Sequence, residues 1–127
     1  MQTTNNAEET TQLITDMFDA LNNHDVDALL ACITDDCVFE NPGPAPDGTR
    51  HAGKHEIREF FTQVFETTPT AKFTLETILV GENHGAVMHR YTWADNPAAG
   101  DPGSVRGVSV FTIRDGKVAE MYDYVKG

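Results

Sequence analysis

The stretch Val105-Arg-Gly-Val-Ser-Val-Phe-Thr-Ile113, Arg114-Asp-Gly116, Lys117-Val-Ala-Glu-Met-Tyr-Asp-Tyr-Val125 reads as two β-strands joined by a tight turn. Side chains alternate faces along a strand, so Asp123 shares a face with Met121 and Val125. A carboxylate in line with apolar groups is costly unless it is paired, hydrogen-bonded or protonated. Such a group is either a structural anchor or a working acid/base, and its surroundings depend on the turn. If Asp115-Gly116 is the centre of a two-residue hairpin, Val108 lies opposite Asp123, and the carboxylate lies beside Val108 and Val110. If Arg114-Asp115-Gly116 is a three-residue loop with Gly116 left-handed, Asp123 shares its face with Gly107, Ser109 and Phe111. The second reading is preferred, because a polar residue and a glycine give a carboxylate a partner and room.

Upstream, Lys72–Val80 and Ala86–Ala94 also read as strands, with a turn over Gly81–Gly85 and a long polar loop over Asp95–Ser104. Helices come earlier. Leu13, Ile14, Met17, Phe18 and Leu21 fall on one face of a helix from about Ala7 to Asn22, with Asn6 and Glu9 resembling a capping box. Asp25 can cap a second helix carrying Val26, Leu29, Leu30 and Ile33. Asp35-Asp36 reads as a turn and Cys37–Asn41 as a short strand. Pro42, Pro44 and Pro46 make the segment to Gly48 an ordered loop. Ile57, Phe60, Phe61, Val64 and Phe65 mark a third helix, about Lys54–Glu66. The order α-α-β-α-β-β-β-β gives an α+β class. A sheet with helices on one face curls around them or leaves a cavity.

The chain has 127 residues, which fits one domain over 1–127. Its formal net charge of −11 argues against nucleic acid and anionic membrane surfaces as partners. No apolar run approaches the ~18 residues of a membrane span. The N-terminal Met1-Gln-Thr-Thr-Asn-Asn lacks the basic and apolar regions of a secretory signal, so the expected location is the cytoplasm. Cys32 and Cys37 are too few for a disulfide framework. His51 and His55 have metal-like spacing but no third ligand nearby, and no metal is expected. No Gly-rich phosphate loop or dinucleotide fingerprint is present, so no organic cofactor is implied.

Four stretches carry a resemblance: Ala20-Leu-Asn-Asn-His-Asp-Val-Asp-Ala-Leu-Leu30, Asp35-Asp-Cys-Val-Phe-Glu-Asn-Pro42, Gly53-Lys-His-Glu-Ile-Arg-Glu-Phe-Phe61 and Phe111-Thr-Ile-Arg-Asp-Gly-Lys-Val-Ala-Glu-Met-Tyr-Asp-Tyr124. In their order and spacing the chain resembles the nuclear transport factor 2-like superfamily, in particular its SnoaL-like polyketide cyclase branch. The resemblance implies a cone: a curved antiparallel sheet wrapped on three helices, with a pocket at the wide end. It also implies a dimer formed through the outer sheet face.

Fold does not fix function on such a scaffold. Ketosteroid isomerases are similar, but their base, Tyr and protonated-acid positions correspond to Asn41, Met17 and Ser109, so their mechanism is lost. Limonene-epoxide hydrolases are similar at Arg90, Asp123 and Asn41, whereas Thr92 stands for a second Asp and Phe39 for a Tyr. SnoaL-type cyclases use one acid/base Asp on the last strand, which Asp123 matches; Ser109 replaces a His of that group.

The resemblance therefore implies Asp123 as general acid/base, with Arg90 and Asn41 orienting substrate or water. Phe39, Met17, Phe61, Met88, Thr92, Ser109, Phe111 and Met121 would line the substrate site. Alternatively, Asp123 and Arg90 form a closed ion pair and Asn41 bonds its own loop. His89, Tyr91 and Trp93 alternate opposite Arg90, and Tyr122 and Tyr124 opposite Asp123, so these aromatics are expected on the outer face, as the dimer interface. The leading expectation is an isomerase, cyclase or hydratase-type enzyme for a small apolar carbonyl compound. A non-catalytic small-molecule-binding or accessory dimer is the second reading and an epoxide hydrolase the third.

Overall fold

A computed structural model describes residues 7–44, 46–94 and 103–126. The elements are α1 (Ala7–Asn22), α2 (Val26–Ala31), β1 (Ile33–Asn41), β2 (Thr49–Ala52), α3 (Lys54–Thr67), β3 (Lys72–Val80), β4 (His84–Trp93), β5 (Gly103–Arg114) and β6 (Lys117–Val125). They form an α+β cone, with a curved six-stranded sheet in the order β2-β1-β6-β5-β4-β3. All neighbouring pairs are antiparallel except β1 with β6, which run parallel.

Helix α1 follows its apolar period, burying Ile14, Met17, Phe18 and Leu21. Its end is fixed by Asn22, whose side chain donates to the Phe73 carbonyl (3.0 Å) and accepts from the Phe73 amide (2.7 Å). His24 then turns the chain at φ 55, and Asp25 caps α2 by accepting from the Ala28 amide at 3.0 Å. The expected Asn6–Glu9 capping box and most of the Asp95–Ser104 loop involve residues outside those described.

Two local expectations around β1 are corrected. Ile33 begins the strand instead of ending α2, and Asp35-Asp36 lies within the strand instead of in a turn. The pairing with β6 breaks between Ile33 and Val38. The two exposed aspartates there meet Lys54 (3.3 Å) and Arg114, so the irregular segment is held by side chains where the ladder lapses. The short strand β2 was not anticipated; it forms by pairing Thr49–Ala52 with the end of β1.

The β5–β6 turn is also not the one expected. Arg114 pairs with Lys117 around Asp115 (φ 55) and Gly116 (φ 75), a two-residue hairpin with both central residues left-handed. An irregularity one pleat further on supplies the odd residue: Ile113 pairs with Val118 but Thr112 with Glu120. Ala119 is thereby accommodated in the strand, and Ser109 comes to lie opposite Asp123. The expected neighbour is right, while the device is a bulge and not a longer loop.

The phase of β4 is opposite to expectation. Val87 pairs with Ser109 and His89 with Gly107, so Val87, His89, Tyr91 and Trp93 share the inner face with Asp123. Met88, Arg90 and Thr92 face outward. Arg90 donates to Ser104 Oγ at 2.8 Å in an exposed pair, and Met88 is 42% exposed.

Candidate active site

The inner face of the sheet, the end of α1 and one side of α3 enclose a cavity of about 660 Å³. Helix α3 aims Phe60, Phe61 and Phe65 into it because these positions recur on one helical face. Opposite them stand Phe73 of β3 and Tyr91 and Trp93 of β4. Phe73 packs against Tyr91 with ring centroids 4.7 Å apart, and Tyr91 against Trp93 at 5.6 Å. His24 stacks on Phe65 at 4.6 Å, held by its Nε2 contact of 3.1 Å with the Ala71 carbonyl.

Asp123 opens onto this cavity and is half-buried. Ser109 Oγ donates to its Oδ1 at 2.5 Å, and His89 Nε2 lies 2.9 Å from the same Ser109 Oγ. Ser109 and His89 are buried. Removal from bulk water pushes the Asp123 carboxyl up to about 7, against which the Ser109 hydrogen bond pulls down. Burial pushes His89 the other way, below its ordinary value. Both shifts disfavour charge.

The residues expected to act together are only partly together. Asp123 faces the cavity, and Phe39 and Phe61 line it. Asn41 also lines it, but its Nδ2 donates to the Gly43 carbonyl (3.0 Å) and its Oδ1 lies 3.1 Å from His51 Nε2. Its amide is thus engaged by the loop that follows it and by His51 of β2. Arg90 does not approach Asp123, because adjacent residues of β4 point to opposite faces and His89 takes the inward place. Met88 and Thr92 lie on the outer face with Arg90, so they do not line the cavity. Met17, Phe111 and Met121 are packed in the core beneath the cavity, and Ser109 sits behind Asp123.

His89, Tyr91 and Trp93, expected on an outer interface, line the cavity instead. Tyr122 and Tyr124 do lie on the opposite side from Asp123, and Tyr124 is 59% exposed. Alternation alone does not set the phase of β4, because Val87, His89, Tyr91 and Trp93 alternate with Ala86, Met88, Arg90 and Thr92 and large groups stand on both faces. His51 turns to Asn41 while His55 pairs with Glu59, so the two histidines do not converge. Among the described residues no cluster of three metal-ligating side chains occurs, and no helix is long and apolar enough to cross a membrane.

The SnoaL-like domain family matches residues 14–121, and this chain belongs to it, within the nuclear transport factor 2-like superfamily. The matched region ends two residues before Asp123. Solved structures agree. An NTF2-like protein of unknown function from Mesorhizobium loti is 34% identical, with TM-score 0.80 over 95% of this chain and 93% of that one. A candidate SnoaL-like polyketide cyclase from Jannaschia sp. CCS1 is 20% identical, with TM-score 0.80 over 99% and 91%. A candidate ketosteroid isomerase from Kribbella flavida is 22% identical, with TM-score 0.77 over 95% and 80%. The last two likenesses concern fold alone. No curated protein matches the chain.

Proposed function

We propose that this protein binds a small, largely apolar carbonyl compound in the cone. There it acts as an acid/base enzyme of the isomerase, cyclase or hydratase type, with Asp123 as the proton-transferring group. One observation carries the reading: a carboxyl opening onto an aromatic-walled cavity, with a serine and, among the described residues, no cation as its partner. A salt-bridged aspartate would stay ionised through the physiological range. Asp123, held near 7, has both forms available at neutral pH, where general acid/base groups work best. As the acid it donates to a carbonyl oxygen; as the base it takes a proton from carbon beside that carbonyl. The rings opposite would hold a flat apolar substrate by area and shape.

The absence of Arg90 from the cavity removes the Arg–Asp pair that an epoxide-hydrolase reading needs. Asp123→Asn should lower turnover by about 10²–10⁴-fold while ligand binding persists. Candidate ligands are to be recovered by native mass spectrometry of protein exposed to lysate. Unchanged turnover in the variant would remove Asp123 from the mechanism.

The outer face supports pairing with a second copy. Met88, Val108, Val110, Tyr122 and Tyr124 adjoin one another across β4, β5 and β6. Met88, Val110 and Tyr124 are exposed in the single chain, and covering them would remove apolar surface from water. Sedimentation should give a dimer at micromolar concentration; a strict monomer contradicts it.

A further inference from the structure

The cavity wall carries a phenol that the protein leaves without a hydrogen-bond partner. Tyr91 stands near the end of β4, and its pairing with Val105 keeps it on the inner face in line with His89 and Trp93. Its neighbours touch the ring, Phe73 at 4.7 Å and Trp93 at 5.6 Å. Among the described residues no hydrogen bond engages the hydroxyl. Nor is the hydroxyl sealed from the cavity, as the partnerless buried nitrogen His89 Nδ1 is. A phenylalanine would offer Phe73 and Trp93 the same ring to pack on, so packing does not account for the oxygen. A tyrosine hydroxyl drawn out of bulk water normally has a partner.

Other polar groups of the cavity are already engaged. Asp123 accepts from Ser109, Asn41 donates to the Gly43 carbonyl, and His24 Nε2 lies on the Ala71 carbonyl. The Tyr91 donor is spare. Water can take that bond until a ligand fills the cavity. The ligand then either accepts the hydrogen bond in place of water or leaves the hydroxyl dry and unpaired. Leaving it unpaired costs the desolvation of the group, which is how a site rejects a look-alike that lacks the right atom.

Tyr91 and Asp123 do not stand side by side. Asp123 lies opposite Ser109, Ser109 lies opposite Val87, and Tyr91 is two pleats beyond Val87. Their backbones are therefore about 10 Å apart across the sheet and about 13 Å along it. The side chains close part of that distance, and a ligand that meets both presents different atoms to each.

Resting on the reading of the cone as a site for a small apolar carbonyl compound, we infer that Tyr91 is a specificity-determining residue whose hydroxyl donates a hydrogen bond to a neutral acceptor oxygen of the ligand, at the end away from Asp123. The substrate class narrows accordingly. An apolar body with a ketone, ester or ether oxygen at that end satisfies the phenol, and a hydrocarbon end does not. A carboxylate or phosphate would meet no lysine or arginine among the described lining residues. Burial lifts the Tyr91 phenol above its ordinary value, so it keeps its proton and stays a donor through neutral and mildly alkaline pH.

The test compares two probes on the full chain: 2-acetylnaphthalene, and 2-isopropenylnaphthalene, in which a CH₂ group replaces the carbonyl oxygen. Binding is titrated at about pH 9, where Asp123 is ionised and cannot donate while the Tyr91 phenol still holds its proton. Tyr91→Phe keeps the ring. It should weaken the ketone by about 10-fold or more relative to the hydrocarbon, whose own affinity should hold or rise. With the probe carbonyl labelled with ¹³C, the bound signal should move upfield in the variant, because no donor polarises the bond. Two bound probes whose affinity ratio is the same in wild type and Tyr91→Phe would overturn the inference alone. A wild type that binds neither probe would contradict the inference and the apolar-ligand reading together. A Tyr91-dependent ratio in a protein whose turnover does not need Asp123 supports the inference and contradicts the proposed reaction.

Discussion

The interior of the cone has a closed half and an open half built on the same strands. In the closed half, Ile14, Met17, Leu29, Phe111 and Val118 pack together, and the gap left beside them is about 10 Å³. In the open half, Phe60, Phe65, Phe73, Tyr91 and Trp93 stand around about 660 Å³. The change takes one pleat step. Phe111 and Met121 face each other in the closed half, and Ser109 faces Asp123 two residues along. Both halves are walled by large apolar groups, so composition does not distinguish them. The difference is what lies opposite: Met17 of α1, Leu29 of α2 and Ile57 of α3 fill the closed half, while Phe60, Val64 and Phe65 further along α3 face the open one across a gap. At the boundary a carboxyl can be dehydrated on one side and reached from the other.

That contrast can be broken most forcefully by truncation. Phe111→Ala should destabilise the fold by about 3–5 kcal/mol in denaturant unfolding, because a buried ring is replaced by a cavity. Trp93→Ala, in the open half, should cost less than about 2 kcal/mol while weakening ligand binding. Equal losses of stability would mean that the two halves are one packed core.

A smaller effect sharpens the role of the boundary. The folded state holds the Asp123 proton up to about pH 7, whereas an aspartate in the unfolded chain loses it near 3.8. Between those values the folded state binds the extra proton, so this contribution to stability is fully present below about pH 4 and is lost as pH rises through 7. Asp123→Asn, which cannot ionise, should therefore be more stable than wild type by roughly 2–4 kcal/mol above pH 8 and nearly equal to it near pH 4. Comparing the two proteins at each pH cancels the opposite contribution of His89, whose lowered value costs stability as pH falls below 6.5. A difference that is flat with pH would place Asp123 in ordinary solvent.

The smallest expected change is at Arg90. On the outer face, with an exposed serine as partner, Arg90→Ala should alter stability by less than about 0.5 kcal/mol and leave ligand affinity unchanged. A large loss of affinity would return Arg90 to the cavity.

Much of the architecture was legible because it rests on periodicity. The bounds of α1, β3 and β6 agree with the apolar patterns in Leu13–Leu21, Lys72–Val80 and Lys117–Val125. What was not legible depends on pairing. A strand with large groups on both faces, such as His84–Trp93, has no inside until its neighbours are known; Gly107 and Ser109 decide it by register. The Ala119 bulge is equally silent, since an alanine can sit in or out of a ladder. Asp123 was found because a lone carboxylate on an apolar face stands out in one dimension. His89 was missed because a histidine among aromatics does not, and only the sheet brings it to Ser109 across two strands.

The most direct measurement is a pH titration of the Asp123 carboxyl by ¹³C NMR on the wild-type protein, with Asp123→Asn to assign the signal. A midpoint near 7 is the predicted result. A midpoint near 4, where an ordinary solvated aspartate titrates, would contradict the account, because the cavity wall would then hold no group poised to take and give a proton at neutral pH.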